Sequence, residues 1–198
     1  MAGSLFYKLE QEAFRAGINP RTEESRNWFR AKAQRLTRVN RMGLMNSEEV
    51  KLVNKSQGLI GSMNMFFYDP KHKDTLPYYD AFPLVVVIGP AEGGFMGLNL
   101  HYLPPMLRAK MLDGLMGITT NTAFNDSTRF KASYNLLQRA AKLKYYKPCI
   151  KHYLSNHVKS QFALVPATEW EIATFLPTAD FRKANNFKVY SDSKRMIG

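Results

Sequence analysis

One stretch near the middle of the chain constrains the fold more than any other. Phe82-Pro83-Leu84-Val85-Val86-Val87-Ile88 is apolar, Gly89-Pro90-Ala91-Glu92-Gly93-Gly94 follows, and Phe95-Met96-Gly97-Leu98-Asn99-Leu100-His101-Tyr102-Leu103 returns. Glycine and proline tolerate such a reversal. The stretch therefore predicts a strand at about 82–89 paired antiparallel with one at about 95–103. Leu84 to Ile88 is the longest apolar run. It is a strand length, far below the roughly 20 residues that span a bilayer, and no membrane partner is expected.

Met63-Asn64-Met65-Phe66-Phe67-Tyr68, closed by Asp69-Pro70, adds a strand at about 62–68, and Phe162-Ala163-Leu164-Val165 adds one at about 161–165. So few strands need closure or packed helices to be stable. The expected class is α+β, a small antiparallel β-barrel or curled sheet with an N-terminal helical arm and a C-terminal helical segment. Helices are expected at about 105–116 behind Pro104-Pro105, at 127–146, at 149–158 after Pro148, and at 169–175, where Thr168-Glu169-Trp170-Glu171 reads as a capping box.

Three regions follow. Residues 1–57 read as the helical arm, with no strand signal; 58–180 as the α+β core; 181–198 as an extended tail. In the arm, Leu5, Phe6, Leu9 and Ala13 recur at helical spacing up to Gly17. Asn19-Pro20 then reads as the start of a second helix, with Trp28, Phe29, Ala33, Leu36 and Val39 on one face and Arg30, Arg38 and Arg41 largely opposite.

Charge narrows the function. The chain holds 28 Lys+Arg against 16 Asp+Glu, a net of +12, which draws it toward polyanions or acidic protein surfaces. The excess is localised. Ser25 to Arg41 carries six basic residues and no acid, and Ser127 to Thr168 carries eight and no acid. The remainder is slightly acidic, with 14 basic and 16 acidic residues. Arg129, Lys131, Arg139, Lys142, Lys144, Lys147 and Lys151, interleaved with Tyr145 and Tyr146, are the candidate nucleic-acid or polyanion contacts. Cations neutralise phosphates, and tyrosines stack on bases or bond phosphate oxygens. A solvated helix face with core tyrosines explains the same pattern as well. Trp28, Arg30, Arg38, Arg41, Tyr78 and Tyr79 are the candidate interface residues, against ordinary amphipathic packing for the arm. Helix-turn-helix, RRM and basic-zipper signatures are missing, so contact through shape or backbone is favoured over base reading.

Catalysis finds little support. The single cysteine, Cys149, excludes an intrachain disulfide framework and a cysteine-based zinc finger. Met1-Ala2-Gly3-Ser4 leads into no signal-peptide h-region, so a soluble protein made in a reducing cytosol is expected. Asp69, Asp74 and Asp80 with Lys71 and Lys73 could imitate a metal nuclease, but they lie in a Pro- and Tyr-rich loop without strands to aim them. On a helix, His152 and His157 would diverge. The Gly93-Gly94 turn sits in a hairpin and not between strand and helix, as a phosphate loop requires. No catalytic residue, metal or cofactor is expected.

The run from Phe67-Tyr68-Asp69-Pro70-Lys71 through Leu76-Pro77-Tyr78-Tyr79-Asp80-Ala81-Phe82-Pro83 and Gly97-Leu98-Asn99-Leu100-His101-Tyr102-Leu103-Pro104 resembles head-completion proteins of T4-like marine myoviruses. So do Lys147-Pro148-Cys149-Ile150-Lys151-His152-Tyr153-Leu154 and Glu169-Trp170-Glu171-Ile172-Ala173-Thr174-Phe175-Leu176-Pro177. The resemblance runs from about residue 58 to the end. Within that group it points to the DNA end-protector family, with a structural subunit of the neck, tail or baseplate as the rival. It implies a non-enzymatic virion protein, made in the host cytoplasm, part of a symmetric assembly, with other virion proteins and double-stranded DNA ends as partners. It brings no catalytic residues.

Overall fold

The computed structural model describes residues 5–20, 22–36, 38–47, 51–53, 60–119, 146–166 and 169–198. The central hairpin forms as expected. Strand β4 (Leu84–Ala91) returns as β5 (Gly94–Asn99) through the two-residue turn Glu92-Gly93. Gly93 has φ of +67°, a left-handed conformation in which a Cβ is strained. Beyond β5 the chain turns tightly through Leu100–Tyr102 instead of continuing as strand.

Among the described residues, β1 (Lys51–Val53), β2 (Met63–Met65), β6 (Ile150–Leu154) and β7 (Phe162–Val165) complete a six-stranded antiparallel sheet of order β1-β7-β2-β4-β5-β6. A small second sheet pairs β3 (Tyr79–Asp80) with β8 (Phe181–Arg182).

The continuous apolar run in β4 reflects burial on both faces of the sheet. Leu84, Val86 and Ile88 join Met63, Met65, Leu98, Ala163 and Val165 on one face. Helices α1 (Leu5–Arg15), α2 (Glu23–Gln34), α4 (Pro105–Thr119) and α5 (Trp170–Phe175) cover that side with Phe6, Leu9, Phe29, Met111, Trp170 and Phe175. Arm and sheet thus share one apolar cluster. Val85, Val87, Phe66, Tyr153 and Phe162 form a second cluster on the opposite face.

The sheet curls but does not close, which corrects the barrel expectation. The rings of Phe95 on β5 and Phe162 on β7 have centroids 5.7 Å apart, although two strands lie between them. In a flat sheet three strand spacings span roughly 14 Å, so the aromatic face is concave. β1 pairs only with β7 and β6 only with β5 among the described residues, leaving two edges. Helices bury the other face, so closure is not needed to hide it.

Four further corrections concern local structure. The expected helix at 149–158 is β6 followed by a tight turn at Ser155–His157. Pairing decides it: Gly94 and Gly97 oppose Leu154 and Lys151, and a Cβ on Gly94 would stand 1.8 Å from the Tyr153 carbonyl oxygen. The expected extended tail holds α6 (Asn186–Ile197), capped by the Asn185 side chain on the Lys188 amide and seated through Val189 and Ser193. The arm region ends in strand β1. Its second helix starts after Thr22, whose hydroxyl and Ser25 form a reciprocal capping box, and it stops at Gln34. A short helix, α3 (Arg41–Met45), follows. Apart from Tyr146, the helix expected at 127–146 lies outside the described residues.

Candidate nucleic-acid interface

The structure distributes the expected site residues unevenly. Arg129, Lys131, Arg139, Lys142, Lys144 and Tyr145 lie outside the described residues. Lys147 is exposed, whereas the Tyr146 ring belongs to the apolar core. Lys151 projects from edge strand β6 with its ammonium 3.9 Å from the centre of the Tyr102 ring. Burial holds its pKa below the ordinary lysine value, partly opposed by the Cys149 thiol.

The arm residues separate in the same way. Arg30 and Arg38 are exposed, with an Arg30 guanidinium nitrogen 3.4 Å from the Met106 sulfur. Trp28 is half-buried, edge-on to Phe29 at 5.0 Å, with the Lys32 ammonium over its ring at 4.8 Å. Arg41 is used inside the chain: it donates to the Thr178 carbonyl at 2.8 Å and to that of Ala179. The Tyr78, Tyr102 and Phe181 rings pack mutually, Tyr78 tilted against Tyr102 and edge-on to Phe181, and Tyr79 pairs with Arg182 across the small sheet.

A polar centre that sequence reading missed fixes this end of the fold. Asp80 is buried, and four donors share its two oxygens. The Phe82 and Asp180 amides reach Oδ1, each at 3.1 Å; Asn99 Nδ2 at 3.1 Å and His101 Nδ1 at 2.7 Å reach Oδ2. His101 Nε2 lies 3.0 Å from the Thr178 hydroxyl. Arg108, also buried, donates to the carbonyls of Leu103, Thr174 and His101 and to the Tyr190 hydroxyl at 2.7 Å.

Burial pushes His101 below the ordinary histidine value, against the pull of Asp80. Burial alone would raise Asp80, but His101, the Asp180 amide and Asn99 hold it below the usual carboxylate range. The consistent pair of states is a neutral imidazole donating Nδ1–H to an ionised carboxylate, with the buried Arg108 guanidinium near enough for the two charges to attract.

Because the folded state resists protonating His101, the unfolded chain takes up more protons as pH falls through about 6.5. The contribution of His101 is therefore complete above that pH and lost progressively below it. The melting temperature is expected to fall from about pH 7.5 to about pH 5.5, and His101→Asn should flatten that slope, as followed by circular dichroism. A slope unchanged in the variant would contradict the assignment.

The Asp80–His101–Thr178 line resembles a proton relay, but none of its members reaches solvent appreciably. The acids considered for a nuclease do not converge either: Asp69 pairs with Lys73 at 3.1 Å while Asp80 is committed to the core. Among the described residues, no group of three His, Cys, Asp or Glu side chains is placed to hold a metal. Nor is any helix among them long and apolar enough to cross a membrane.

A further basic patch comes from parts of the chain that sequence reading averaged away. Residues 181–198 carry five basic residues and one acid. Lys183 donates to the carbonyls of Lys73, Asp74 and Leu76 at 2.6, 2.8 and 3.2 Å, tying in the loop that bears Lys71 and His72. Local charge density after Phe181 was the available signal.

No curated protein and no solved structure matches the chain. A family model does, over residues 11–196, and its description is Phage T4 terminal DNA protecting protein. That span takes in both terminal helical regions and the sheet between them, and the chain belongs to this family of phage DNA-protecting proteins.

Proposed function

We propose that this chain is a non-enzymatic phage protein that binds the ends of double-stranded DNA, acting in the virion when the packaged head is completed. The observation that carries the reading is the family match across nearly the whole chain. The charge distribution supports it, since a net of +12 gathered in a few segments suits a phosphate backbone. Lys147, Lys151, Arg30 and Arg38, together with Arg129, Lys131, Arg139, Lys142 and Lys144, are the proposed backbone contacts. Asp80, His101 and Arg108 act as structure, since their polar atoms are occupied within the fold. Other virion proteins, arranged with the symmetry of the particle, are the proposed neighbours of the arm.

A gel shift comparing blunt-ended linear DNA with its relaxed closed-circular form tests this. The linear form should be bound in preference at equal mass of DNA. Equal binding of the two forms would remove end recognition and leave only a general affinity for polyanions.

A further inference from the structure

A protein that distinguishes a duplex end from its interior must touch something that only an end offers. Within a duplex both faces of every base pair are stacked, whereas the terminal pair leaves one π-face open. An aromatic side chain stacks on such a face whatever the sequence, and neighbouring cations hold the phosphates.

Two aromatic rings are thrust into solvent, Phe14 at 85 % exposed and Phe187 at 82 %. Single exposed apolar residues are ordinary, so their surroundings decide between them. Glu10 is exposed one turn before Phe14, on the same face of α1, where it would repel phosphate. Phe187 sits at the start of α6, with Lys188 next to it in the chain and Arg182 and Lys183 just before the helix.

Lys183 holds this arrangement in place. It adopts φ of +67°, an uncommon conformation outside glycine, and its ammonium is fixed by three loop carbonyls. Carbonyls orient that charge without neutralising it. Arg182 and Lys188 pair with Asp180 and Asp192, at 2.8 and 2.9 Å; the two cationic side chains are each 57 % exposed and the carboxylates 21 % and 18 %. Pairs whose cation stands largely in solvent contribute little, which leaves the exposed ends of Arg182 and Lys188 open to a phosphate. Tyr190, one turn after Phe187, anchors the helix through Arg108.

We propose that Phe187 stacks on the terminal base pair of a DNA duplex while Arg182 and Lys188 engage the last phosphates, the Lys183 charge adding to their field from its fixed position on the loop carbonyls. The assignment rests on the DNA-end reading given above and names the residue that would read the end. Its occupant is the terminal base pair of duplex DNA.

Phe187→Ala and Phe187→Trp variants of the full chain test it, titrated by fluorescence anisotropy against a blunt linear fragment and a relaxed closed minicircle of the same sequence. Phe187→Ala should weaken binding to the linear fragment roughly tenfold, toward the wild-type affinity for the minicircle. Phe187→Trp should keep the end preference. The proposal is overturned if Phe187→Ala binds the linear fragment as wild type does, or if Phe187→Trp loses the preference. If wild type itself shows no end preference, the DNA-end reading fails first, and the two failures are distinguishable. The ring is exposed, so neither variant removes a core contact.

Discussion

Asp80→Ala is expected to cost about 3–5 kcal/mol of folding stability, the scale seen when one partner is removed from a buried charged network. The substitution strands two amides, the Asn99 side chain and the His101 Nδ1–H, all of which converge on the carboxylate. A single orphaned buried donor costs about 1–3 kcal/mol, and relaxation keeps four such costs from adding in full. The buried Arg108 guanidinium also loses the favourable field of the Asp80 carboxylate. Against a typical total of about 5–15 kcal/mol, most of the margin can disappear.

Asp80→Asn fills the same space and keeps one acceptor oxygen, so it should cost less, roughly 2–3 kcal/mol. Urea midpoints of the two variants check the order. A loss below about 1 kcal/mol for Asp80→Ala would mean that the network does not hold this end of the fold together. Loosening should show first at the C-terminal end, because Asp80 holds Asp180, His101 holds Thr178, and Arg41 clasps Thr178 and Ala179. Helix α6 follows from that segment.

The second large effect is the salt dependence of DNA binding. A protein that neutralises about six phosphates loses about 10³-fold in affinity between about 50 and 200 mM salt. The proposed contacts number more than six, so a loss of that order is expected on linear duplex. Replacing Lys142 and Lys144 together by alanine should lower the slope of log affinity against log salt by about two. A loss below about tenfold over the same range would leave at most two phosphate contacts. The basic segments would then be surfaces for acidic protein.

Legibility followed the range of the interactions. The β4–β5 hairpin could be read because its apolar run and the glycine-bearing turn at Glu92-Gly93 are near neighbours in the chain, although the strand runs on through Gly89-Pro90 to Ala91. Strand β6 could not, since Ile150 to Leu154 becomes a strand through the glycines of β5, some fifty residues earlier. Helix α6 was obscured because only Val189 and Ser193 are buried along it, and Phe187 stands in solvent. The Asp80 centre was the least legible. Its partners are spread over Phe82, Asn99, His101 and Asp180, and the sequence offers Asp80 only as one acid in a turn-rich loop. Charge was legible as runs, which located the Ser127 to Thr168 segment but missed the cluster that folding gathers around Lys183.

Protection of DNA ends is the central claim, and a processive double-strand exonuclease acting on end-labelled linear duplex measures it most directly. Excess protein at low salt should leave the label intact in proportion to occupied ends, with protection lost as salt is raised and reduced in the Phe187→Ala variant. Digestion of the linear duplex at the same rate with and without saturating protein would contradict the account.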